Sequence, residues 1–271
     1  MRGWALIAGA ALSAFALIQG LRPPTVQSYE VHAAGLPPEL NGMVLVAVSD
    51  LHVGSRLGKE WLNERVAQVQ ALHPDIVVLL GDVFEGHGQP DDELVAGLNQ
   101  LSAPLGVWAV RGNHEHYAAR DGASPPAGES NIQVLENQWV EVRRGLILAG
   151  VEDLTAVGRT AREGNFVEQS LAGRPAGATI LLSHTPWQAE AAAAQGVSLM
   201  LCGHTHGGQI WPLGYLVRLR YPFVEGRYEV GGTTVLVCRG TGTWGPPMRL
   251  WRPGEIMRVT LRAGEGGKDK G

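Results

Sequence analysis

The feature that most constrains this chain is a recurring junction, in which an apolar run of strand length stops at once on an aspartate, asparagine or histidine. Met43 to Val48 runs into Ser49-Asp50-Leu51-His52, and Ile76 to Leu80 into Gly81-Asp82. Val107 to Val110 meets Arg111-Gly112-Asn113-His114, Thr179 to Leu182 meets Ser183-His184, and Leu199 to Cys202 meets Gly203-His204-Thr205-His206. Short aliphatic and β-branched runs of this kind read as buried strands. Helical stretches lie between several of them. Lys59 to Leu72 sets Trp61, Leu62, Val66, Val69 and Leu72 near one helical stripe, with Glu60, Glu64 and Arg65 outside it. Asp91 to Leu101 and Pro186 to Gln195 are shorter examples. Alternating strands and helices predict an α/β arrangement, with strand carboxyl ends gathered along one edge. Beyond residue 225 the segments 226–230, 233–238 and 255–261 look like sequential strands, which predicts a second, more antiparallel sheet.

Each polar residue at these junctions has an ordinary explanation when taken singly. An aspartate or asparagine after a strand is usually a turn former or helix cap, and a lone histidine is usually structural. Taken together, Asp50, His52, Asp82, Asn113, His114, His184, His204 and His206 make a donor set for divalent ions of intermediate hardness, such as manganese, iron or zinc. A purely oxygen set would point to calcium or magnesium instead. Alternate residues of an extended segment point the same way, so Asp50 with His52, and His204 with His206, can each aim two ligands into one cleft. A carboxylate such as Asp82 can bridge two ions. Gly81, Gly112 and Gly203 let the backbone turn closely around a compact site.

From about residue 43 to residue 210 this set resembles the calcineurin-like metallophosphoesterase superfamily. The string Gly203-His204-Thr205-His206-Gly207-Gly208-Gln209-Ile210 and the later Arg239-Gly240-Thr241-Gly242-Thr243 with Pro247-Met248-Arg249 are similar to one membrane-associated branch. That branch includes bacterial phosphodiesterases with an N-terminal anchor or export signal, and a hydrolase acting on a lipid A precursor. The resemblance implies an αββα sandwich, two facing mixed sheets flanked by helices, and two divalent metal ions per chain. One ion would take Asp50, His52 and His206, the other Asn113, His184 and His204, with Asp82 bridging. His114 matches the family's acid, which is not a metal ligand. The implied reaction is hydrolysis of a phosphodiester or diphosphate bond, in a lipid-linked or nucleotide-linked substrate. A broad-range phosphomonoesterase is the alternative among enzymes, and a metal-bound scaffold is the alternative from another class.

The remaining sequence bounds this reading. A net charge of −4 and a pI near 6.1 give no electrostatic footprint for duplex nucleic acid, and no specific protein partner is indicated. Cys202 and Cys238 are too few for a disulfide framework and read as buried free thiols. Trp4 to Leu21 carries no charge and ends at Arg22-Pro23-Pro24, which predicts an N-terminal membrane anchor over residues 1–21. A signal cleaved near Ala14-Phe15-Ala16 is its rival. Arg2 before the run tilts the catalytic domain towards the extracytoplasmic side. Residues 22–41 read as a linker with an edge strand at 26–31, residues 42–262 as the catalytic domain, and residues 263–271 as a disordered tail. Arg239 and Arg249 have the planar fork that suits phosphate, although a salt bridge or carbonyl contact would account for either. His87 and His116 follow ligand loops and read as exposed. The stretch Ile210 to Phe223, with Arg218 and Arg220 among its apolar residues, is expected to pack beneath the second sheet, or alternatively to form a lipid-facing rim.

Overall fold

Alternation within the apolar runs decides what each strand face meets. The computed structural model describes residues 2–54, 56–85, 90–120, 130–157 and 164–264. His87 and the tail beyond residue 264 lie outside the described residues. The strands are β1 (Thr25–Ala33), β2 (Val44–Val48), β3 (Ile76–Leu79), β4 (Val107–Ala109), β5 (Ile132–Val134), β6 (Gln138–Arg143), β7 (Leu146–Gly150), β8 (Ala178–Leu182), β9 (Leu199–Cys202), β10 (Gly226–Val230), β11 (Thr233–Val237) and β12 (Glu255–Ala263). The helices are α1 (Arg2–Leu21), α2 (Lys59–Gln70), α3 (Asp92–Leu98), α4 (Asn113–Arg120), α5 (Leu154–Val157), α6 (Phe166–Leu171), α7 (Ala189–Ala194) and α8 (Gly214–Val217).

Two mixed six-stranded sheets face each other, ordered β1-β12-β2-β3-β4-β5 and β10-β11-β9-β8-β7-β6. Between them Leu45, Ala47, Ile76, Val78 and Val259 meet Leu146, Leu148, Ile180, Leu182 and Leu201 in one buried cluster. The intervening residues Val46, Val48, Val77 and Leu79 face the other way, onto Leu62, Val66 and Val69 of α2 and Leu94 and Leu98 of α3. On the outside of the second sheet, Ala149, Leu181, Met200 and Cys202 pack on Val167 and Leu171 of α6 and Ala189 and Ala192 of α7. The layering is therefore αββα. Truncating a central side chain such as Ile180 to alanine would cost about 2–5 kcal/mol. Cys202 and Cys238 are free and buried, as their apolar settings predict.

The C-terminal strands depart from expectation. β10 and β11 extend the second sheet, antiparallel to each other but with β11 parallel to β9. β12 leaves them and joins the first sheet, parallel to β1 and antiparallel to β2. The edge strand expected at 26–31 is present as β1, at the edge of the first sheet, where it pairs with β12 along its whole length, from Thr25 opposite Glu255 to Ala33 opposite Ala263.

The expectation that Ile210 to Phe223 packs beneath the second sheet also needs correction. Phe223 does pack there, and Tyr221 joins Leu154 and Trp187. Trp211, Leu213, Tyr215, Leu216 and Leu219 instead face outward, and α8 buries none of its residues. These residues alternate too irregularly with arginines and glycine to offer a single apolar face to the sheet.

Helix α1 is long and apolar enough to cross a membrane over Gly3–Leu21. Its C-terminal end is docked on the domain. Ala16 is buried, and its carbonyl accepts from the backbone N–H of Arg249 at 2.9 Å. Gly20 lies so close to Pro247 that a Cβ there would stand 2.3 Å from the Pro247 carbonyl oxygen.

Candidate metal centre

Five loops deliver the chemistry, each leaving the carboxyl end of a strand. Those after β2, β3 and β4 carry Asp50 and His52, Asp82, and Asn113 and His114; those after β8 and β9 carry His184, and His204 and His206. The side chains converge, but not through the geometry that alternation along an extended segment would give. Asp50, His52, Asp82, His204 and His206 all lie in the left-handed region, with φ between 48° and 69°. That conformation is costly for a residue with a Cβ and clusters at functional sites. Close backbone approach adds to the constraint. A Cβ on Gly203 would meet Ser49 Oγ at 1.8 Å, and one on Gly112 would meet Asp82 Oδ1 at 2.2 Å.

Ligand-type atoms face one another at short range. Asp50 Oδ1 is 3.4 Å from His206 Nε2, which is 3.2 Å from His52 Nε2. His184 Nε2 is 3.2 Å from Asn113 Oδ1 and 3.1 Å from His204 Nδ1. Between the two groups stands Asp82, whose Oδ2 is 3.9 Å from His52 Nε2 and 3.2 Å from His184 Nε2. Asp50, His52, Asp82, Asn113, His184 and His206 are buried. Imidazole nitrogens pointing at each other and at carboxylates, out of water, form a donor set that cations satisfy well. The residues present fit two divalent ions.

A surrounding layer fixes which atom of each side chain faces inward. His184 Nδ1 donates to the Leu80 carbonyl at 2.7 Å, leaving Nε2 free to ligate. His204 Nε2 lies 2.6 Å from the Tyr221 hydroxyl, so Nδ1 is its inward atom. His52 Nδ1 donates to Glu85 Oε2 at 2.5 Å. The Asp50 carboxylate accepts from Ser49 Oγ at 2.5 Å and from the His204 N–H at 3.0 Å. The Glu115 carboxylate ties two ligand loops together, accepting from the backbone N–H groups of Asp82, Val83 and Gly112 at 2.9, 2.7 and 2.8 Å.

The electrostatics suit cation binding. Burial alone would raise the Asp50 and Asp82 carboxyls, but His206 for the first and His184 for the second outweigh it. Both carboxyls are held far below the usual range. Burial lowers His206, and burial with the charge of His184 pulls His204 down to about 4. Burial opposes charge on His52 and His184 as well. Glu85 and Asp82 overcome it, and both imidazoles are raised. Ligation needs neutral imidazole, so at these two positions a cation and a proton compete.

All eight junction residues are brought together, with His114 at the margin. Its Nδ1 lies 3.3 Å from Glu85 Oε2, its ring is edge-on to His52 at a centroid distance of 4.8 Å, and its backbone N–H donates to Asp82 Oδ1 at 2.9 Å. Both arginines suggested for phosphate make contacts within the protein. Arg249 is buried and donates to the carbonyls of Arg239, Gly240, Gly242 and Arg252 at 2.5–3.0 Å, so it holds the 239–252 loop in shape. Arg239 Nε is paired with Glu255 at 3.0 Å. His116 is half-buried, and its Nε2 has no hydrogen-bond partner among the described residues. Sequence reasoning assigned no role to Glu85, Glu115 or Tyr221. Glu115 adjoins His114 in the motif and carried some signal. Glu85 and Tyr221 carried none, being indistinguishable from a solvated carboxylate and a packing aromatic.

Comparison with known proteins supplies relatives for this arrangement. The calcineurin-like phosphoesterase family matches residues 43–208. A "Transmembrane protein with metallophosphoesterase domain" from Danio rerio is 37% identical over 270 residues, covering 95% of this chain and 62% of that protein. A metallophosphoesterase from Aquifex aeolicus is 32% identical over 246 residues, covering 88% of this chain and 91% of the relative. The chain spans 60–62% of the length of the vertebrate relatives it matches. Among solved structures, a dimetal phosphatase from Danio rerio shares 15% identity, with a TM-score of 0.45 over 76% of this chain and 90% of that one.

Proposed function

This chain belongs to the calcineurin-like phosphoesterase family, and we propose that it is a two-metal hydrolase of a phosphodiester or diphosphate bond, working beside a membrane. Asp82 carries the reading. One buried carboxylate oxygen faces His52 on one side and His184 on the other. It can therefore serve two cations, one held by Asp50, His52 and His206, the other by Asn113, His184 and His204. Manganese, iron or zinc suits this mixture of nitrogen and oxygen donors. Two such ions, when bound, supply Lewis acidity that lowers the pKa of water and offsets charge on phosphoryl oxygens.

The chain's own groups do the rest. The Asp50 and Asp82 carboxylates stay ionised throughout the neutral range and supply the countercharge. Glu115 keeps the loops after β3 and β4 in register, so that Asp82 and Asn113 hold their spacing. His114 stands at the margin of the ligand cluster, where Glu85 orients its ring for proton transfer to the departing oxygen. The apolar helix α1 supports the membrane part of the reading. It favours a lipid-linked, amphiphilic substrate over a soluble nucleotide-linked one.

The test is a substrate comparison with the purified full-length chain under manganese, iron and zinc. An aryl phosphodiester, an aryl phosphomonoester and a lipid-linked diphosphate would be offered in parallel. Diester or diphosphate turnover that a chelator stops is the expected result. Preference for the monoester would move the reading to a phosphomonoesterase. Stoichiometric metal with no turnover of any of the three would leave only a scaffold.

A further inference from the structure

Next to the docked end of α1 lies an apolar surface that the metal chemistry does not use. Leu213, Tyr215, Leu216 and Leu219 of the α8 segment are 47–85% exposed, and Trp211, Trp244 and Trp251 are 46–57% exposed. Single exposed apolar residues are ordinary, but a group of large ones on adjoining loops marks an interaction surface. The two loops are tied to each other. Trp211 and Trp251 meet edge-on at a centroid distance of 5.2 Å, the Trp211 N–H donates to the Leu250 carbonyl, and Gln209 Nε2 donates to the Trp244 carbonyl at 2.9 Å.

Three observations say what covers this surface. The first is continuity with α1. The loop bearing Trp244 and Trp251 is fastened to the end of the apolar helix by the Arg249 N–H on the Ala16 carbonyl, by the Trp251 N–H on Gln19 Oε1 at 2.6 Å, and by Gly20 packed on Pro247. A bilayer that receives α1 must therefore meet these residues, because no slack separates the helix end from the loop. The second is charge. No aspartate or glutamate occurs from His206 to Val224 or from Arg239 to Gly254, Arg218 is exposed, and the adjoining Glu225 is paired with Arg252 at 3.1 Å. A surface whose adjoining carboxylate is paired and which carries the outward Arg218 suits phosphate headgroups. The third is residue type. Tryptophan and tyrosine beside aliphatic side chains are the residues of the membrane–water boundary.

We propose that this surface, built on α8 and the 244–251 loop, seats in the headgroup region of the same bilayer that holds α1. The proposal rests on reading α1 as membrane-inserted. It also places the chemistry. Gly207, next to the ligand-type His206, lines one cavity together with Tyr215, Arg218 and the Glu225–Arg252 pair. A seated domain therefore holds this cavity, one residue from the ligand-type His206, at headgroup level.

The experiment uses the full-length chain in phosphatidylcholine–phosphatidylglycerol vesicles, with an environment-sensitive fluorophore on single introduced cysteines. Cys202 and Cys238 are buried, and the unsubstituted chain measures any background labelling. The labelled variants are Leu216→Cys and Leu219→Cys on the proposed face, and Leu12→Cys in α1. Glu141→Cys on β6, at the sheet edge opposite β10, is the control. Labels at 216 and 219 are expected to lose quenching by aqueous iodide and gain quenching by nitroxide-bearing lipid, as the label at 12 does, while the label at 141 behaves in the opposite way. Lipid quenching at 12 with iodide quenching at 216 and 219 would overturn the docking face and leave the anchor standing. Iodide quenching at 12 would remove the anchor and the docking face with it. Protection at 216 and 219 from both quenchers, with label-to-label transfer between copies, would mean that a second protein molecule covers the face, which also overturns the proposal.

Discussion

Loops of the first sheet bring Asp50, His52, Asp82 and Asn113 to the centre, with Glu85 and Glu115 behind them. Loops of the second sheet bring His184, His204 and His206, with the Leu80 carbonyl and the Tyr221 hydroxyl behind the first two. Every ligand-type carboxylate thus comes from one side, and the other side supplies imidazoles alone. A cation held there would draw its countercharge from the first sheet and much of its directional constraint from the second. Losing charge inside a buried site costs more than losing one neutral hydrogen bond, so the two sides should respond unequally to substitution.

The largest effect is expected from Asp82→Asn, which keeps shape and removes the bridging charge. Turnover should fall about 10³-fold or more, and both metals should be lost on metal analysis. Unchanged metal content would break the comparison at its centre. Acidification should do the same reversibly. His184 is raised by Asp82, so its protonated form persists to higher pH than that of an ordinary histidine and competes with the cation. Metal affinity should be highest at alkaline pH and fall as pH drops through the raised His184 range. The metal should leave well before His204, lowered to about 4, takes up a proton. Metal content after dialysis at stepped pH checks this.

His114→Ala should keep its metal and lose about 10²- to 10³-fold in rate, least with aryl leaving groups that need no proton. Metal loss in that variant would remove the acid role. Glu85→Gln on the first-sheet side should weaken metal affinity about 10- to 100-fold. Tyr221→Phe on the second-sheet side should cost only about fivefold, the worth of one neutral hydrogen bond. Titrating metal into the two chelated variants compares them directly. A larger loss for Tyr221→Phe than for Glu85→Gln would reverse the asymmetry.

Much of the fold was legible because it follows from local pattern. Buried strands such as β3 and β8 read as unbroken apolar runs, and α2 reads from its stripe. β12 was legible as a strand but not in its place. Its pairing with β1 and β2 closes the first sheet over a long range, and nothing within residues 255–263 distinguishes that partner from β11. The ligand-type residues were legible because Asp, Asn and His at so many strand ends have no economical structural explanation. Their convergence was expected from alternation along extended segments, whereas the structure achieves it with left-handed backbone at Asp50, His52, Asp82, His204 and His206. Those conformations are imposed by neighbouring loops, and residue type alone does not announce them.

By itself, then, the sequence determined which side chains can ligate and that they leave strand ends, because donor chemistry belongs to residue type and strand formation to local pattern. Only the tertiary structure decided that Asp82 stands between two histidine groups, that Glu85, Glu115 and Tyr221 orient the ligand loops, and that Arg249 is engaged by carbonyls. It also decided that the residues after Ile210 turn outward beside α1. These relations join segments far apart in the chain, and their geometry is set by how the two sheets pack.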